Sequence, residues 1–89
     1  MQVSADGVFE LGHVGASKLA VYGSGAFGGG TVTVGYLTNN RTFKPVLANG
    51  ASNTVDFEFV YTKGSGVQGA LSVTGSTTPN IEIQVGPVS

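Results

Sequence analysis

Along this chain apolar and polar residues alternate in short bursts, and in no window long enough for a helix do the apolar positions keep the 3.6-residue period of a buried helical face. The clearest burst is Thr54–Tyr61, where Val55, Phe57, Phe59 and Tyr61 fall on one side of an extended backbone and Asp56 and Glu58 on the other. A strand patterned this way is expected at the centre of a core. Thr31–Leu37 repeats the pattern, with Val32, Val34 and Tyr36 inward and Thr31 and Thr33 outward, and so does Asn80–Val85, with Ile81, Ile83 and Val85 opposed to Glu82 and Gln84. Val8–Leu11, Lys18–Tyr22, Thr42–Leu47 and Val67–Thr74 complete seven candidate strands, each bounded by Gly, Ser, Asn or Pro. Seven short strands with little or no helix predict a sandwich or a barrel.

Two connections carry a more specific signal. Asn39-Asn40 lies between two alternating runs, and a two-residue type I′ turn there pairs Thr38 with Arg41 and Tyr36 with Phe43, setting both rings on the inner face. Pro45 then ends the ladder or marks an edge strand. The segment GSGAFGGG (Gly23–Gly30) reads as a mobile link between strands. Its Phe27 is either a plug folded back onto the core or an exposed anchor for a partner.

Composition narrows the functional classes. At 89 residues the chain is expected to hold one domain, residues 1–89, with little stability in reserve. No cysteine is present to add a disulfide or a thiolate metal site. Charged residues make up 10% of the chain, against about 25% in a typical soluble domain. The surface is therefore built mainly of Ser, Thr, Asn, Gln and Gly. A net charge of −1 with four cations, Lys18, Arg41, Lys44 and Lys63, provides no basic stripe for a phosphate backbone, so nucleic acid is not an expected partner. The start MQVSADGVFELGH does not have the pattern of a signal peptide and no run reaches membrane-spanning length, which predicts a soluble product of cytoplasmic synthesis without a membrane partner.

Catalytic readings fail on residue type or on context. GSGAFG at Gly23–Gly28 matches GxGxxG formally, but TVTVGY follows it, a strand where the dinucleotide site requires a helix N-terminus. His13 is the single histidine and has no second histidine or cysteine to complete a metal site, nor a recognised nucleophile to activate. Asp56 and Glu58, two residues apart on an outward strand face, read as solvating charge or rim contacts rather than as a glycosidase pair across a cleft. The sequon Asn40-Arg41-Thr42 has meaning only in a secretory route for which no signal is seen. No enzymatic activity, cofactor, metal or small-molecule substrate is expected. The candidate interaction residues are Phe27 and the hairpin residues Asn39, Asn40, Arg41 and Lys44.

The succession FELG…LAVYGSGAFGGGTVTVGYLTNNRTFKPV, followed by GALSVTGSTTPNIEIQV, resembles small β-rich virion proteins of tailed bacteriophages over most of the chain. The resemblance is carried by Gly28-Gly29-Gly30-Thr31-Val32-Thr33-Val34, by the return Phe43–Val46 (FKPV), and by Val73-Thr74-Gly75-Ser76 before the last alternating strand. It implies a single small antiparallel β-sandwich, jelly-roll-like, in a non-enzymatic capsid decoration (cement) protein. Such a protein is made in the host cytoplasm, binds the outer capsid surface and stabilises the head. Its partner is the capsid protein or another virion protein, and a homo-oligomer, a trimer first, suits the threefold positions of a shell. A tail or fibre component is the alternative within the class. A carbohydrate-binding β-sandwich module is the alternative outside it, with Tyr22, Tyr36 or Tyr61 as stacking platforms. The pattern places Tyr36 and Tyr61 inside, and the chain has no Trp.

Overall fold

The computed structural model describes residues 1–88, which form nine strands and no helix. The strands are β1 (Gln2–Val3), β2 (Gly7–Gly12), β3 (Lys18–Ala26), β4 (Thr31–Leu37), β5 (Phe43–Pro45), β6 (Ser52–Asn53), β7 (Phe57–Thr62), β8 (Gln68–Thr74) and β9 (Asn80–Pro87). Two antiparallel sheets pack together. One is ordered β1-β9-β3-β7 and the other β2-β8-β4-β5, with β6 beside β5 on the same edge of β4.

The pairing follows one rule. Strands of the first half meet strands of the second, β1 with β9, β2 with β8, β3 with β7 and β4 with β5. The chain is a long ribbon folded at the β4–β5 turn and rolled so that its successive pairs fall alternately in the two sheets. That is the jelly-roll topology expected above. Apart from β4–β5 and β5–β6, every link crosses from one sheet to the other.

The core between the sheets is aliphatic. Val3, Leu19, Val21, Val32, Val34, Leu71, Val73, Ile81 and Ile83 are fully enclosed, each contributing about 1.5–3 kcal/mol on burial. Phe27 closes one end as the plug of the two readings above, meeting Phe57 edge-to-face with centroids 6.3 Å apart. The expectation of a mobile link at Gly23–Gly30 is corrected. Gly23–Ala26 extend β3 along β9 as far as Ala26 opposite Asn80, and Phe27–Gly30 then turn tightly, with the Gly30 N–H on the Phe27 carbonyl at 2.9 Å. Gly28 and Gly29, at φ +61° and +76°, supply the two left-handed positions of that turn.

The Asn39-Asn40 hairpin exists with a different register. Leu37 pairs with Phe43 and Tyr36 with Lys44. The Arg41 N–H bonds to the Thr38 carbonyl at 2.9 Å and the Thr38 N–H to the Thr42 carbonyl at 3.0 Å. The positive φ falls on Arg41, at +62°, and on neither asparagine. The loop is thus a three-residue one, a turn followed by a left-handed residue that makes a bulge. One extra loop residue slips the register by one and turns Phe43 to the face opposite Tyr36, so the expected ring pair is not made.

The strand expected at the centre of the core does send Tyr61 into it, but lies on an edge of its sheet. β7 pairs only with β3 and begins at Phe57, leaving Val55 outside it and 69% exposed. Tyr61 is enclosed, while Phe57 and Phe59 are half-buried because no strand lies beyond them. The Thr42–Leu47 run shortens to three residues ending at Pro45, on an edge as proline requires.

Candidate interaction surfaces

The hairpin tip assembles four of the residues singled out in the sequence. Asn39, Asn40, Arg41 and Lys44 are all exposed. The Arg41 guanidinium is already engaged by the Glu10 carboxylate of β2, which also accepts from the Gln68 amide at 2.9 Å. Glu10 is held below the usual carboxylate range, first by the Arg41 hydrogen bond and then by Gln68. Arg41 thus ties the tip to β2 and β8, and its charge is partly matched before any partner arrives. Phe27, the fifth candidate, is 5% exposed and packed in the core, which corrects its assignment as an interaction residue. The sheet pairing continues through Ala26, and the ring packs edge-to-face on Phe57.

The outer face of the β1-β9-β3-β7 sheet presents the second surface. β3 turns Leu19 and Val21 inward and therefore Tyr22 and Ser24 outward. Tyr22 stands opposite Glu58 on β7 and Gln84 on β9, and Ser24 stands opposite Glu82. With Asp56, these residues line an open depression of about 500 Å³. Asp56 is fixed there by the Gly25 N–H at 3.1 Å. The site offers one exposed aromatic face among acceptors and carries no cation.

The third surface lies where the β5/β6 edge of one sheet passes over to the β7 edge of the other. Leu47, between β5 and β6, is 97% exposed, and Val55, between β6 and β7, is exposed as well. Phe57 and Phe59 follow Val55 along β7. Gly50 backs onto the Phe59 ring, so the β5–β6 loop lies along β7. Val60, on the outer face of β7, adds a further exposed apolar side chain.

No protein-family model, curated protein sequence or solved structure matches this chain. Its functional reading therefore rests on these surfaces and on the resemblance carried by its sequence. Among the described residues no group of three or more His, Cys, Asp or Glu is placed to hold a metal ion. His13 is exposed in the β2–β3 link. Among the described residues no helix is long and apolar enough to cross a membrane.

One residue carries a role that its sequence context does not signal. Lys63, read there only as one of four cations, is buried with its ammonium among backbone carbonyls, and burial pulls its pKa below the ordinary lysine value. Nothing in the surrounding KGSGV signals this, because its partners are main-chain atoms. Leu47 and Val55 are legible as apolar but fall within predicted strands, and only the topology exposes them.

Proposed function

We propose that this chain is a non-enzymatic structural protein of a tailed-phage virion, a capsid decoration protein that docks through the β5–β6–β7 border. What supports docking is the pair Leu47 and Val55, both exposed in the links that lead from β5 to β7, and what supports a virion partner is the resemblance of the sequence to tailed-phage virion proteins. A leucine left in water forgoes about 1.5–3 kcal/mol of burial free energy that a covering partner restores. A standard interface takes about 800 Å² from each partner, roughly a sixth of the 4714 Å² surface of this domain. The jelly roll recurs in viral capsid and lectin domains, so the fold agrees with the reading without deciding it. Binding only to the assembled shell, the protein stabilises it by RT ln(1 + [L]/Kd) at each occupied site.

Mass spectrometry and reconstruction of purified virions test the assignment. Density for the domain on the outer capsid surface is the expected result, density on the tail moves it to the alternative of a tail or fibre component, and absence from virions sinks both. On stripped capsids, Leu47→Asp and Val55→Asp are expected to weaken rebinding at least about tenfold, the loss of 1.4 kcal/mol or more. Thermal unfolding should stay within about 0.5 kcal/mol of the parent, since both positions are solvent-exposed surface.

A second reading is favoured by the exposed Tyr22 face. An aromatic platform flanked by Glu58, Gln84 and Glu82 suits a sugar ring, stacking below and hydroxyls donating to the carboxylates. Tyr61 and Tyr36 add nothing to it, since the first is enclosed and the second is half-buried on the other sheet. Specific binding on a glycan array, abolished by Tyr22→Ala, would replace the first reading with this one.

A further inference from the structure

Lys63 crosses the end of the sandwich where the β2–β3 link (13–17) meets the β7–β8 link (63–67), and it is 9% exposed. Its Nζ donates to the carbonyls of Ala16 at 2.5 Å, Val67 at 2.6 Å, Gly64 at 3.1 Å and Val14 at 3.4 Å. Four acceptors surround a group with three protons, and no carboxylate is among them. The main chain beside it closes the same seam: the Lys63 N–H meets the Ser17 carbonyl at 2.8 Å and the Gly66 N–H meets the Val14 carbonyl at 3.0 Å.

Burying a charge without a counter-charge is costly unless dipoles replace its hydration. A ring of carbonyl oxygens drawn from two loops is the ligand set that strips and holds a hard monovalent cation. We infer that these four carbonyls form a monovalent-cation site whose resident ion is the tethered ammonium of Lys63, and that this ion locks the two loops into one rigid pole of the sandwich. Val14, Ala16, Gly64 and Val67 contribute through their main chain alone, so the cation is the only part of the site that a side chain specifies. The ligand class is K⁺ or NH₄⁺ once the lysine is removed.

The Lys63→Ala variant tests this. In tetramethylammonium chloride its Tm is expected about 8–16 °C below that of the parent, the consequence of losing the charge-assisted hydrogen bonds to these carbonyls. KCl or NH₄Cl at the same ionic strength should recover at least half of the loss, because these ions fit where tetramethylammonium does not. Lys63→Met, which refills the channel with an apolar chain, should show no such salt selectivity. A Lys63→Ala protein as stable as the parent, or one that K⁺ and NH₄⁺ fail to rescue from either a folded or an unfolded state, overturns the inference. The parent protein provides an independent reading. Under limited acetylation Lys18 and Lys44 should be labelled at least about tenfold faster than Lys63, and equal labelling of all three also overturns it.

Discussion

The Tyr61 hydroxyl is a polar group inside an otherwise apolar seam, and its bond to the Gly35 carbonyl at 2.7 Å joins β7 of one sheet to β4 of the other. The ring itself stacks on Phe59 with centroids 5.7 Å apart. Burial pushes the phenol up to about 12 from an ordinary 10.0, because the anion has little water to solvate it. The folded chain then holds its proton where the unfolded chain has lost it. This contribution to stability is complete below pH 10 and disappears as pH rises toward 12. Tyr61→Phe keeps the stacked ring and removes the bond, so it should cost about 1 kcal/mol at neutral pH. Denaturant titrations at pH 9 and pH 11.5 should show the gap between variant and parent closing as pH rises. A constant gap would assign the alkaline loss to another group. The inward direction of Tyr61 was legible in the alternation of its strand, whereas its acceptor, a carbonyl 26 residues away, was not.

At the scale of elements, alternation revealed which residues share a face and left open where a strand lies within its sheet. β4, β8 and β9 keep nearly the limits that their patterns predict, since each has neighbours on both sides and turns one face into the core. β7 has the strongest alternation in the chain and yet lies on an edge, because an edge strand also needs one apolar face toward the opposite sheet. Periodicity is blind to the difference. β1 and β6, two residues each, are too short for any pattern to reveal, and the β4–β5 register depended on a single loop residue. The candidate site suffered for the same reason, since Leu47 and Val55 are surface residues only because β5 and β7 stop short of them. The crossing turn after β3 gives this level its test. A Cβ on Gly28 would stand 2.3 Å from the Thr77 carbonyl oxygen, a main-chain atom, at φ +61°. Gly28→Ala should therefore destabilise by about 2 kcal/mol or more, visible as a Tm drop of about 8 °C or more. A change below about 0.5 kcal/mol would mean that the turn relaxes freely and does not hold Phe27 in place.

For the whole molecule, the rolled ribbon sets an order of closure. Leu37 and Phe43 are neighbours across a short loop, Gly23 and Phe57 are farther apart along the chain, and Val3 and Ile81 lie near its two ends. Closing the last pair directly costs the most loop entropy, but once the inner pairs have formed it requires only a short extension of an existing ribbon. Folding is accordingly expected to begin near the β4–β5 tip with the β4–β8 contacts and to finish at β1–β9, on the millisecond-to-second scale of sandwiches dominated by non-local pairing. Two core valines distinguish this order from its reverse. Val34 lies on β4 beside the tip and Val3 on β1, and both are fully buried, so truncation of either to alanine should cost about 1–3 kcal/mol. In stopped-flow chevrons Val34→Ala should slow refolding, since its contacts belong to the nucleus, while Val3→Ala should leave refolding nearly unchanged and accelerate unfolding. The opposite partition would show that the chain closes from its ends. The β1–β9 pair would then be the foundation of the domain, not the last seam to form and the first to open.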